Sequence, residues 1–180
     1  VPAITMRSIA EEKRSGTLDL LLTRPVTEYQ IVLAKFLASW ILVLLSLLPT
    51  LIYFISVSLL GSPPGNIDSG GTWGSYIGLL FLGGIYASIG IFSSSLTGNQ
   101  IVAFLIAVFA SFLMYLGFDF LSGLAGSGKV SFLISRMGIS HHYSSVSRGV
   151  LDSRDILYFL GVMGLFLMGT RISLQSSRWT

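Results

Sequence analysis

His141 and His142, with Ser140, Ser144, Ser145 and Ser147 around them, form the densest group of potentially reactive side chains in this sequence. Neighbouring residues diverge by about 100° on a helix, so the two imidazoles cannot share a metal at the i, i+4 spacing of helical zinc sites. They read as interfacial side chains rather than metal ligands. No nucleophile elbow frames any of the serines, which read as a polar amphipathic turn. Gly126–Lys129 (GSGK) lacks the glycine spacing and the Ser/Thr of a phosphate-binding loop. Cysteine is absent, which removes thiolate chemistry and disulfides. An ion-coupled carrier needs an ionisable group within its spans. Asp119 is the only candidate and is expected in the outer headgroups beside Tyr115. The sequence therefore offers no catalytic set, no metal site and no cofactor of its own.

The elements that must carry these residues are apolar. Only 11% of the 180 residues are charged, and mean hydropathy is +0.79, too apolar for the surface of a soluble domain. A helical crossing takes about 20 apolar residues. Ile31–Leu60 does not alternate as a barrel strand would, so the spans are helices. The expected fold class is all-α, a polytopic helical bundle with four full spans at about 31–60, 73–95, 101–121 and 155–171. The net charge of +3 lies mostly beside spans, which indicates topology and not nucleic-acid binding.

Residues 1–6 read as the last turn of a helix begun upstream, and residues 7–30 as a polar connecting segment. Arg7–Arg14 holds five charges in eight residues. Gly16 breaks that run, Thr17 is placed to cap a short helix Leu18–Thr23, and Pro25 ends it. Thr27 and Gln30 have capping-box spacing for the long helix that follows, with Lys35 snorkelling and Pro49 kinking it. Gly83, Gly84, Ser88 and Gly90 permit a close helix contact, expected at a dimer interface. Thr97–Gln100 is a tight break between spans. Within about 130–148, Phe132, Leu133, Met137 and Ile139 suggest an interfacial helix on the far side.

The short flanks orient the chain. One side holds Arg7, Lys13, Arg14, Arg24, Lys35, Arg171 and Arg178; the other holds Lys129, Arg136, Arg148 and Arg154 beside Asp68, Asp119, Asp152 and Asp155. Seven basic residues against four place Met6–Gln30 in the cytoplasm.

Ala10–Ala38 (AEEKRSGTLDLLLTRPVTEYQIVLAKFLA) closely resembles the cytoplasmic signature of ABC-2 type permeases, matching at Glu11, Glu12, Lys13, Gly16, Thr17, Asp19, Leu21, Leu22, Pro25, Val26, Lys35 and Phe36. Ser147–Gly161 resembles the element before the last helix of that family, through Arg148, Gly149, Val150, Asp152, Asp155, Tyr158 and Phe159. Within the family the pattern is most similar to the gliding-motility permeases of Bacteroidetes-type bacteria, near the permeases of nitrous-oxide reductase maturation. The resemblance implies a multi-pass permease of the bacterial inner membrane, usually with six spans, the others preceding Val1. It implies a separate cytosolic ATPase that supplies ATP and Mg, and a second permease as homodimer or related heterodimer. Membrane lipid and an auxiliary periplasmic or membrane subunit complete the implied partners. Glu11, Glu12, Lys13 and Arg14 would lie at the ATPase interface, and Gly16 and Thr17 would make the bend. Asp19, Leu21 and Leu22 would occupy the coupling helix that Pro25 terminates. Thr97, Gly98, Asn99 and Gln100 would form a second cytosolic contact. Arg148, Gly149, Asp152 and Asp155 would form an outer hinge. The competing class is a secondary transporter or channel not driven by ATP, and a membrane enzyme built on the two histidines is a more distant third.

Overall fold

Backbone amides in hydrocarbon have no water to bond, so each crossing segment must close its own hydrogen bonds. The computed structural model, which describes residues 1–17, 27–62, 65, 67–126 and 128–176, meets that demand with helices alone among the described residues. Two short helices come first, α1 (Pro2–Thr5) and α2 (Ala10–Ser15). The first crossing is α3 (Glu28–Leu47), a 3-10 turn Leu48–Thr50, then α4 (Leu51–Leu60). The second is α5 (Ser69–Leu96). The third is α6 (Gln100–Phe112), a π-helical turn Leu113–Gly117 and α7 (Phe118–Leu124). Two short helices, α8 (Lys129–Arg136) and α9 (Ile139–Val146), precede the fourth crossing, α10 (Ser153–Ser176). Four helices are thus long and apolar enough to span a membrane. The fold is an all-α polytopic membrane bundle.

Local sequence sets the boundaries. Thr27 caps α3 in a reciprocal box: Gln30 N donates to Thr27 Oγ1 (3.4 Å) and Thr27 N to Gln30 Oε1 (3.0 Å). Pro49 cannot donate to the α-helical ladder, and the 3-10 turn falls there. The Thr50 hydroxyl bonds back to Leu47 O and lies 3.1 Å from the Tyr76 hydroxyl, pinning the kink to α5. Asp68 caps α5 through Gly71 N, so that helix starts before Trp73. Asn99 caps α6 by accepting from Ile101 N.

α5 is the hub, packed by α1, α3, α6, α9 and α10. From Gly83 to Ser95 nearly every α5 residue is buried, whereas α4 buries none. α6 inserts only the small stripe Ala103, Ala107 and Ser111, and α10 inserts Asp155, Phe159, Met163, Thr170 and Leu174. Small faces let backbones approach where lipid supplies no hydrophobic drive for helix association. Phe81 stacks on Phe159 (5.6 Å) and Phe92 meets Phe166 (5.8 Å), while Trp40 Nε1 donates to Leu80 O.

Three expectations are corrected. The glycine face of α5 is used within the chain: a Cβ on Gly83 would meet Val43, one on Gly84 Met163 and Trp40, and one on Gly90 Thr5. The segment about 130–148 is two helices and not one, and Ile139 is fully buried in the core instead of floating at the surface with Phe132, Leu133 and Met137. Lys35 turns inward, because a carboxylate and a carbonyl lie within its reach.

Candidate functional site

The charged segment is fastened to the bundle by one serine. Ser94, on the last turns of α5, is fully buried. Its Oγ accepts from Ile9 N (2.9 Å) and Ala10 N (2.9 Å) and donates to Met6 O (3.0 Å). Ile9 is the N-cap position of α2 and supplies no side-chain cap. The two leading amides of that helix therefore find their acceptor on another helix, a trans cap in place of the usual local one. Removing the hydroxyl strands two buried amides and a half-buried carbonyl. Ser94→Ala is expected to destabilise the docked segment by about 2 kcal/mol and to expose the bond after Arg14 to trypsin, as read by limited proteolysis.

A second fastening is electrostatic. Glu12 Oε1 pairs with Lys35 Nζ at 2.6 Å, and Lys35 Nζ also donates to Ser8 O. Glu12 Oε2 is buried without a hydrogen bond among the described residues, so this carboxylate depends on Lys35 alone. Lys13 Nζ donates to Ser95 O, which also accepts from Ser173 Oγ of α10 (3.0 Å). Burial pushes the Lys13 ammonium below the ordinary lysine value. Through these bonds α2 is joined to α3 and α5, and α10 to α5, at one end of the bundle. Glu11 and Arg14 remain exposed. Gly16 then stops α2 with φ 69°, a left-handed conformation that suits glycine, and the exposed Thr17 hydroxyl lies 2.8 Å from that of Ser15.

The Thr97–Gln100 turn sits beside this junction. A Cβ at Gly98 would lie 3.9 Å from Arg14 N and from the Lys13 Cβ. Asp19, Leu21, Leu22 and Pro25 lie outside the described residues. The structure thus brings Glu12, Lys13, Arg14 and the 97–100 turn together. Ser94 and Ser95 were not apparent as site residues, since serines in an apolar span resemble packing positions.

The residues assigned to an outer hinge lie away from this junction, and each is held by a different partner. Gly149 has φ 84° and abuts Gly70 and Gly71, while a Cβ on Gly74 would strike Val146 O and the Gly149 backbone. Arg148 Nε donates to Ser144 O (3.0 Å), and Asp152 Oδ1 accepts from Arg154 N (3.0 Å). Asp155 is buried and meets His142 Nδ1 at 2.6 Å. His142 Nε2 meets Arg136 O at 2.9 Å, and its ring stacks on Tyr158 at 4.0 Å. Tyr158 also donates to Met137 O. His142 is therefore a strap joining α8, α9 and α10 and not a loose interfacial side chain. Among the described residues no group of His, Asp and Glu could hold a metal.

A family profile described as ABC-2 family transporter protein matches residues 2–147, from α1 through α9. The chain belongs to the ABC-2 transporter family. No curated protein and no solved structure matches it. Membership makes this ABC-2 chain a membrane permease and implies a non-catalytic role. The matched region contains both fastenings of α2 in this ABC-2 permease, Lys35 and Ser94 included.

Proposed function

We propose that this chain is the membrane subunit of an ATP-driven ABC-2 complex of the bacterial inner membrane, and that residues 7–30 face the cytoplasm and receive force from a separate ATPase. The observation that carries this reading is the double fastening of α2, by Ser94 to α5 and by Glu12–Lys35 to α3. A segment that only marked topology would need its charges but not three hydrogen bonds to the hub helix, two of them buried. Glu11, Arg14, Gly16 and Thr17 form an exposed rim, and Asp19, Leu21, Leu22 and Pro25, which follow in sequence, have a pattern that resembles a coupling helix. The 97–100 turn extends that rim. Arg148, Gly149, Asp152 and Asp155 serve as an outer hinge between α9 and α10.

The permease does no covalent chemistry. ATP and Mg act in the partner, and closure of two ATPases pushes the rim, so that α3, α5 and α10 move as a joined set between two packings. A second permease, identical or related, completes the complex with membrane lipid and an auxiliary subunit. The work done is translocation or mechanical work on the membrane, with gliding motility or secretion as its setting, in keeping with the resemblance to gliding-motility permeases.

The test is purification of the complex in mild detergent. Wild type is expected to retain an ATPase, and Leu21→Asp to lose it or to leave its hydrolysis insensitive to the permease. A permease that purifies alone, or a gradient-driven flux in vesicles without ATP, would overturn this reading in favour of a secondary transporter or channel.

A further inference from the structure

Two hollows meet at Asp119. One, of about 500 Å³, is polar and walled by Tyr115, Asp119, Ser140, His141, Tyr143 and Ser144. The other, of about 530 Å³, runs along the outward face of α6 and α7 between Phe109, Phe112, Leu116 and Phe120, with Asp119 at its rim. The π-helical turn Leu113–Gly117 lies where they join, and such turns often accompany functional sites.

The hydrogen bonds in the polar hollow decide what it accepts. Ser140 Oγ donates to Asp119 Oδ2 at 2.5 Å, Ser144 Oγ to His141 O at 2.8 Å, and Ser147 Oγ, also at the wall, to Ser144 O at 3.2 Å. Each hydroxyl has spent its only hydrogen on the protein, and its lone pairs remain. Burial and the nearby Tyr115 push the Tyr143 phenol up, which keeps that ring neutral. The ion pairs among the described residues are Glu12–Lys35 and Asp155–His142, so Asp119 is in no ion pair among them. The carboxylate and the serine lone pairs suit a cation with several N–H donors, while the Tyr115 and Tyr143 hydroxyls and the His141 ring in the same wall can donate to the phosphate oxygens that such a headgroup carries. The adjoining groove suits a hydrocarbon tail.

We propose that these hollows form one binding site for a lipid with a primary-amine headgroup. The ammonium hydrogen-bonds to Asp119 and the flanking serine oxygens, and one acyl chain lies along Phe109, Phe112 and Phe120. A quaternary ammonium, which has no N–H, meets the charge but not the acceptors. An anionic head is repelled.

The test uses the intact complex in vesicles doped with photoactivatable phosphatidylethanolamine, phosphatidylcholine or phosphatidylglycerol carrying the same reactive acyl chain. Labelling by phosphatidylethanolamine is expected to exceed the other two by about fivefold, the scale of one partly exposed charge-assisted contact, with adducts mapping to residues 109–120. Asp119→Asn, which still accepts from Ser140, is expected to level the three lipids. Phe112→Ala, at an exposed position, is expected to reduce the adducts while the carboxylate stays. Equal labelling in wild type, or a preference that survives Asp119→Asn, overturns the proposal. So does full displacement by soluble O-phosphoethanolamine, which would show that the groove is not part of the site. The experiment needs no nucleotide, so its failure is distinct from failure of the ATPase assignment.

Discussion

Gly90→Ala is expected to unseat α1 from α5. A Cβ at position 90 would fall on the Thr5 side chain, which is fully buried and bonded to Val1 O and Pro2 O. Neither partner can yield: one is helix backbone and the other a short β-branched side chain. Overpacking of this kind costs about 3 kcal/mol, and the loss falls beside the Ser94 fastening, so the junction should loosen as well. Thermal unfolding in detergent and tryptic cleavage after Arg14 read the two effects. Gly161→Ala on α10 is the control, since nothing lies within 4 Å of a Cβ there; removing a helical glycine from open space should stabilise by up to about 1 kcal/mol. Thr5→Gly should restore part of the loss in the Gly90→Ala background. If Gly90→Ala and Gly161→Ala behave alike, α1 does not dock on α5 as described.

Asp155→Ala is the second large effect. Asp155 and His142 have side chains 10% and 16% exposed, and His142 meets acceptors at both ring nitrogens, Asp155 and the Arg136 carbonyl. The arrangement is satisfied when Nε2–H donates to the Arg136 carbonyl and a second hydrogen lies between Nδ1 and the carboxylate. Deleting the carboxylate leaves the imidazole without its partner at a mostly buried position, a loss of about 2–3 kcal/mol once residual exposure discounts the fully buried figure. The strap closes the turn between α8 and α9, so trypsin should gain access after Arg136. A double-mutant cycle with His142→Ala checks the coupling: the double variant should lose little more than either single one. Additive losses would show that the strap is not a unit.

Much of the architecture was legible in the sequence because it depends on local chemistry. Four apolar stretches became four spanning helices, the Thr27/Gln30 box formed with both bonds, Pro49 fell at a break and Gly16 ended α2. What escaped depends on partners distant in the chain. Lys35 beside hydrocarbon reads as a snorkelling cation until Glu12 is seen 2.6 Å away. Gly83, Gly84 and Gly90 announce a close approach but not whose, and the approaching groups are Val43, Met163 and Thr5 of the same chain. His141 and His142 both read as interfacial side chains, yet His142 finds a carboxylate. The family signature marked the charged segment without disclosing its anchor, since a serine at position 94 differs from those at 93 and 95 only by the backbone groups of residues 6–10 that reach its hydroxyl.

The trans cap also imposes an order in time. Ile9 and Ser94 are separated by 85 positions, and a ribosome adding about 5–20 residues per second needs several seconds to cover that distance. Throughout this interval the opening amides of α2 have no side-chain acceptor from the hub, because the helix that bears it has not been made. The junction closes only after the second crossing is complete. Its closure is therefore a record, written by a single hydroxyl, that the first two spans have both been made.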